Sequence, residues 1–263
     1  MFKGASARTF AFQVLFAGLV LACWEFIGRS SGRAFFVAGS PTAIFKELKQ
    51  LVVFDHLLSH FWTTGSEAVA GIVMGTMIGA SFGLSLWYSK AVEQTVRPFI
   101  IALGTLPILA FAPLMIVWFG IGWGMKVALA AFSTVFIAYD QAYRGAKLTS
   151  SESVDVLKGM NASQNQIFFK VVVPGAFSWV LSSMRLNVGI GLLGAFIGEF
   201  IASDRGLGYL ILRASGLYNI PRAFAAAMGI TVLALLLNGI AGYVEKHRQV
   251  LIQVLSVPRA VWK

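Results

Sequence analysis

Three ionisable residues, Glu67, Arg185 and Glu199, stand in runs of apolar sequence long enough to cross a bilayer. A charge in hydrocarbon must be paired, hydrated or turned to a cavity, so such residues are functional candidates by default. The sequence offers little for covalent or metal chemistry. His56 and His60 lie four residues apart, but only Asp55 is near as a third ligand, so they read as two interfacial histidines and not as a metal site. Cys23 is the one cysteine and sits in an apolar run, which excludes a disulfide framework and a thiolate site. There is no His-Glu-x-x-His and no Gly-x-Ser-x-Gly, and the Gly-Lys pair of a phosphate loop never occurs. These residues suit the movement of a solute or ion, not a bond-making reaction.

The elements that must position them follow from composition. The chain has 263 residues, 57% hydrophobic and 12% charged, with mean hydropathy +0.77. A soluble domain carries about twice that charge. The expected fold class is therefore all-α, a polytopic membrane protein with six transmembrane helices in one transmembrane domain covering residues 1–263. The spans are expected at 10–27, 68–88, 98–120, 123–139, 176–201 and 224–244. The net charge of +10 fits basic residues flanking spans better than nucleic-acid binding. The N-terminus has a basic start and an apolar run but no small-residue cleavage site, so it reads as a retained first span.

Between spans one and two, Ser40-Pro41-Thr42 opens an amphipathic stretch, 43–53, expected as a short helix on the membrane surface. Span two carries Gly71, Gly75, Gly79 and Gly83, a glycine at every fourth residue. In lipid such a ridge lets two backbones approach closely, whether in one bundle or across a dimer. Span three contains Pro107 and Pro113, expected as internal breaks that free carbonyls. They suit either a kinked packing helix or a wall of the translocation path.

The longest polar passage runs from Thr149 to Pro174, inside a loop at 141–174. Thr149-Ser150-Ser151-Glu152 and Ser163-Gln164-Asn165-Gln166 both fit capping boxes. Asn161 between them tolerates the left-handed conformation that ends a helix. The expected order is helix, sharp turn, helix, with Pro174 in the first turn of a new helix. Val154, Leu157 and Met160 fall on nearby turns of the first helix, an apolar face that must dock on something.

This passage resembles the cytoplasmic coupling loop of ABC importer permeases. Aligned on Pro174, Val171 and Val173 take the Ile and Leu positions of that family's motif, Asn161 takes its Gly, and Asp155-Val156-Leu157 take Glu-Ala-Ala. Two further stretches resemble the same family: 107–122, PILAFAPLMIVWFGIG, and 203–212, SDRGLGYLIL. Within it the chain is similar to the nitrate, sulfonate, taurine and bicarbonate branch. The resemblance implies a type I importer bundle, and Val154, Asp155, Leu157, Met160, Asn161 and Pro174 as the loop that meets an ATPase. It also implies a second permease subunit, expected as a homodimer, two cytosolic ATPase subunits that bind ATP and Mg, and an external solute-binding protein. This chain itself is expected to be non-catalytic, with no cofactor and no nucleic acid. The alternative is an ion-coupled secondary transporter using Glu67, Arg185 and Glu199.

If that loop is cytoplasmic, six spans in an inner membrane place both termini inside, with twelve of the 21 Lys and Arg inside and eight outside. Lys126, Arg205, Arg213 and Arg222 then form a basic outer rim, which suits a small anion or small polar organic solute. Glu67 and Glu199 lie near the same ends, as a gate or as partners for the arginines. Arg185, about 16 Å along its helix from Pro174, is expected in a structural or gating role.

Overall fold

The computed structural model describes residues 7–149 and 151–247, and every regular element among them is helical. In order they are α1 (Ala7–Ser30), α2 (Gly32–Ala38), α3 (Pro41–Val53), α4 (Leu57–Ser85), α5 (Lys90–Gly104), α6 (Ile108–Phe119) and α7 (Trp123–Lys147). There follow α8 (Ser151–Gly159), α9 (Gln164–Ile167), α10 (Val173–Ile201), α11 (Leu207–Gly216) and α12 (Ile220–Lys246). The chain groups into two compact units, Met1–Phe61 with Arg205–Ile230, and Trp62–Asp204 with Thr231–Lys263.

In the first unit local capping sets the element ends. The Ser31 hydroxyl accepts from the Ala34 N–H and starts α2, and Gly39 ends it at φ 62°. The Ser40 hydroxyl does the same for α3, with Pro41 at the first position. Helix α3 buries Ile44 and Leu51 and leaves Phe45 and Val52 exposed, as an amphipathic helix should. The Glu25 carboxylate accepts from the Thr42 N–H at 3.0 Å and its hydroxyl at 2.7 Å, tying α1 to α3. Arg222 pairs with Asp55 at 2.8 Å, and Asn219 donates to Glu47 at 3.1 Å. The His60 Nδ1 accepts from the Gly206 N–H at 2.9 Å.

Four helical stretches are long and apolar enough to span a membrane: Thr9–Ser30, Leu57–Tyr88, Gln164–Ile201 and Ile220–Lys246. The expected third span is not one kinked helix. It is α5 and α6, bent by 96°. Pro107 costs no hydrogen bond there, because it sits just before α6 begins; Pro113 alone lies inside α6. The expected fourth span, α7, is 25 residues long but carries Lys126, Asp140, Arg144 and Lys147, and it does not qualify on hydropathy. It escapes that requirement by being wrapped in protein: Met125, Leu129, Ala130, Ala138 and Ala142 are fully buried.

The second unit is built on α4, α7 and α10. A Cβ at Gly75 would lie on the Thr134 hydroxyl and the Ala131 carbonyl, and one at Gly79 on the Val135 carbonyl oxygen, 3.0 Å from the Tyr139 nitrogen. The glycine ridge therefore packs on α7 of the same chain. Residues on α4 face residues about 59 further on, so the two helices run parallel. A parallel neighbour requires the chain to return between them, and the bent α5–α6 pair is that return. Helix α10 runs the other way, with Gly191 near Thr134, Gly194 near Leu129 and Gly198 near Lys126.

Candidate functional site

The glycine ridge continues upward into charge. Glu67 precedes Gly71 by one turn, and Lys126 precedes Ala130 by one turn, so the α4–α7 register that stacks Gly71 on Ala130 also brings Glu67 to Lys126. They form an ion pair in which both side chains are buried. Glu199, next to Gly198 on α10, completes the group; its carboxylate accepts from the Thr64 hydroxyl at 2.6 Å. The Lys126 ammonium also donates to the Ser203 hydroxyl at 3.1 Å. Glu67, Glu199 and Thr64 have no exposed surface, and Lys126 has 4%. The structure thus brings together two of the three expected ionisable residues and corrects the position of Lys126. It lies in the first turn of α7 with its side chain buried, not exposed on an outer rim. Because Arg222 is paired with Asp55, the rim is also weaker than its residue count implied.

Arg185 lies elsewhere. Its guanidinium pairs with Glu245 at 3.1 Å and lies over Gly242, where a Cβ would sit 2.9 Å from Nη2. Both partners belong to α12 and were not singled out by sequence. A long basic side chain can reach along the bundle to an acid near a helix end. Pro107 and Pro113 are both exposed, and α5 has no buried residue. Among the described residues no group of three His, Cys, Asp or Glu side chains is placed to hold a metal ion.

At the other end of the unit, α8 closes as the sequence suggested. Asn161 adopts φ 58°. The Ala162 N–H donates to the Leu157 carbonyl at 3.0 Å and the Asn161 N–H to the Lys158 carbonyl at 2.9 Å. That pair of bonds defines a Schellman motif, with Asn in the place glycine usually takes. The capping box at Ser163 and Gln166 is formed on both sides. The first expected box includes Ser150, outside the described residues; the Thr149 hydroxyl bonds the Gly145 carbonyl at 2.9 Å. Just past the end of α8 Met160 is 56% exposed, and on α8 Val154 and Leu157 are half-buried. Asp155 pairs with Lys158 at 3.5 Å. Val156, named in the motif alignment but off the helical stripe counted from Val154, is 62% exposed.

Pro174 lies in the first turn of α10, as expected, but α10 is not a separate helix. Residues Gln164–Ile201 form one helical stretch with a π turn at Phe168–Val172. Proline lacks an N–H and crowds the carbonyl four residues back, which is Lys170. Widening that turn relieves both conflicts without ending the helix. The segment from Gln164 onward is therefore continuous with α10, and α8 is set off from it by the turn at 160–163.

Residues 71–250 match the family described as binding-protein-dependent transport system inner membrane component. The chain is 27% identical over 224 residues to the formylaminopyrimidine transport permease protein ThiX of Halalkalibacterium halodurans, covering 84% of this chain and 88% of that one. It is 27% identical over 233 residues to the putative aliphatic sulfonates transport permease protein SsuC of Bacillus subtilis, covering 89% and 84%. Its fold is similar to a chain of the MetNI methionine ABC transporter in an inward facing conformation. That match has a TM-score of 0.66 at 15% identity, over 73% of this chain and 95% of the other.

Proposed function

The chain belongs to the family of binding-protein-dependent transport system inner membrane components, and from that premise we propose how it works. It is the membrane permease subunit of an ABC importer for a small solute. As such it works with an ATPase and a solute-binding protein. Our reading is that the ATPase is a separate cytosolic subunit that binds ATP and Mg, and that this chain hydrolyses nothing. The missing phosphate loop supports that division. We also read the pore as a homodimer, with both termini on the cytoplasmic side. An apolar groove of about 470 Å³ between α4, α6 and α7, lined by Met74, Ile78, Trp118 and Trp123, suits a second copy within the membrane.

The observation that carries the coupling role is the α8–α10 segment. Helix α8 carries the exposed Val156, is followed by the exposed Met160, is closed by Asn161, and is joined by a short capped turn at 160–163 to the long apolar stretch Gln164–Ile201. A push on α8 is thus delivered to α10. Leu157→Asp places a charge in that docking face and removes about 2 kcal/mol of apolar contact. Recovery of the ATPase subunit with the detergent-solubilised permease should fall by roughly tenfold or more. Undiminished recovery would remove α8 from the docking role.

An ion-coupled carrier needs intramembrane charges free to bind an ion. Glu67 is committed to Lys126, Glu199 bonds Thr64, and Arg185 is paired with Glu245. That reading loses its carriers. For the solute we favour a small anion or small polar organic molecule, with sulfonates and aminopyrimidines first because similar permeases are named for them. The test is reconstitution with the binding protein and measurement of ATPase stimulation. The panel is taurine, alkyl sulfonates, nitrate, bicarbonate and a formylaminopyrimidine. Stimulation only by a cationic or large apolar compound would overturn the solute class and leave the permease assignment standing.

A further inference from the structure

The turn between α4 and α5 and the π turn before α10 meet in an aromatic cluster that none of the roles above uses. Leu86–Tyr88 forms a single tight 3-10 turn, and from it Trp87 and Tyr88 reach Phe168 in the π turn, with ring centroids 5.7 Å and 4.7 Å away. The Tyr88 hydroxyl also donates to the Asn165 side-chain oxygen in α9 at 3.1 Å. Phe168 is buried, in a core with Ala146, Val172 and Ala176 and with Leu84 and Trp87 packed against it. The arm that leads from α8 into the membrane is therefore held at its wide turn by the end of the glycine-ridged helix. A π turn is a rare local widening of an α-helix, found mostly as a single turn and often at functional sites. A movement of α8 would be absorbed there unless something braced it.

We infer that Phe168, gripped by Tyr88 and Trp87, is the positioning contact that keeps the π turn rigid, so that the ATPase's movement reaches α4 and α10 together. The inference rests on the coupling role of α8 proposed above. Phe168 is buried in that core, so it acts by holding the segment in place.

The experiment uses the purified complex of permease and ATPase subunit, with MgATP as the probe. The wild-type permease should alter the kcat of the ATPase subunit relative to the free subunit. With Phe168→Ala the ATPase subunit should still co-purify and the KM for MgATP should stay within about twofold, while kcat returns to that of the free subunit. Phe168→Trp, which keeps a ring against Tyr88, should restore the wild-type kcat; Phe168→Leu, which keeps most of the volume, should not. If Phe168→Ala does not fold, the Trp and Leu pair carries the same comparison. Retention of the wild-type kcat by Phe168→Ala or Phe168→Leu would overturn the inference, as would a wild-type permease that leaves kcat unaltered. Loss of the ATPase subunit from Phe168→Ala would also overturn it, by making the cluster part of docking. Leu157→Asp in the same assay separates the two readings, because its retention of the ATPase would sink the coupling role of α8 itself.

Discussion

Lys126→Met should be among the most damaging single substitutions in the chain. The methionine nearly matches the lysine in volume, so it leaves no large cavity. It does leave Glu67 without its cation and Glu199 beside it, in a site with no access to water. Removing one partner of a buried ion pair costs about 3–5 kcal/mol, because the remaining charge stays desolvated. For a chain of this length the apparent Tm in detergent should fall by roughly 10 °C. Glu67→Gln removes the charge together with its need for a partner. The double variant Lys126→Met with Glu67→Gln should therefore recover part of the loss, since Glu199 keeps its hydrogen bond from Thr64. Melting curves of the three variants decide the matter. A Tm for Lys126→Met equal to wild type would mean that Lys126 reaches water.

That cluster also shows what the amino-acid order leaves open. Glu67, Lys126 and Glu199 are each legible as costly charges or as flanking residues, but nothing local says that they meet. Their meeting depends on the register of α4 against α7, which is set by how Gly71, Gly75, Gly79 and Gly83 seat on the α7 backbone. The same offset of about 59 residues that puts Gly71 on Ala130 puts Glu67 on Lys126. A reading that treats each span alone leaves Lys126 at the outer end of its span, on a basic rim. The pairing of Arg185 with Glu245 escaped because it too depends on how two helices, α10 and α12, are set against each other.

Local chemistry was easier to read. The left-handed Asn161, the capping box from Ser163 and the Ser40-Pro41 start of α3 depend only on neighbours within four residues. Proline was read less well. Pro107 was taken as a break inside a span and Pro174 as the first turn of a new helix; the structure puts Pro107 ahead of a helix and Pro174 in the first turn of α10, directly after a π turn. What a proline does depends on whether the preceding turn can widen, and that is decided by what packs on it. Around Pro174 the packing comes from Phe168 and Val172.

Gly79→Leu should abolish assembly of the bundle. In most cores an oversized residue finds relief by moving side chains, and costs about 1–3 kcal/mol. At Gly79 the obstacle is backbone. The first added carbon meets the Val135 carbonyl, and the Tyr139 nitrogen is 3.0 Å away. Neither can rotate aside, so α4 and α7 must separate. In lipid there is no hydrophobic effect to pull them back, because packing itself is what holds the helices together. Separation also draws Glu67 away from Lys126, which adds the cost of the broken buried pair to the lost packing. Even Gly79→Ala, one methyl group, should lower the yield of monodisperse protein. Gly239→Leu is the control. It lies on α12, where an added Cβ meets nothing within 4 Å, and the variant should be recovered as well as wild type. Size-exclusion profiles of the three solubilised variants test the argument. A monodisperse Gly79→Leu protein with wild-type Tm would mean that α4 and α7 are not in backbone contact.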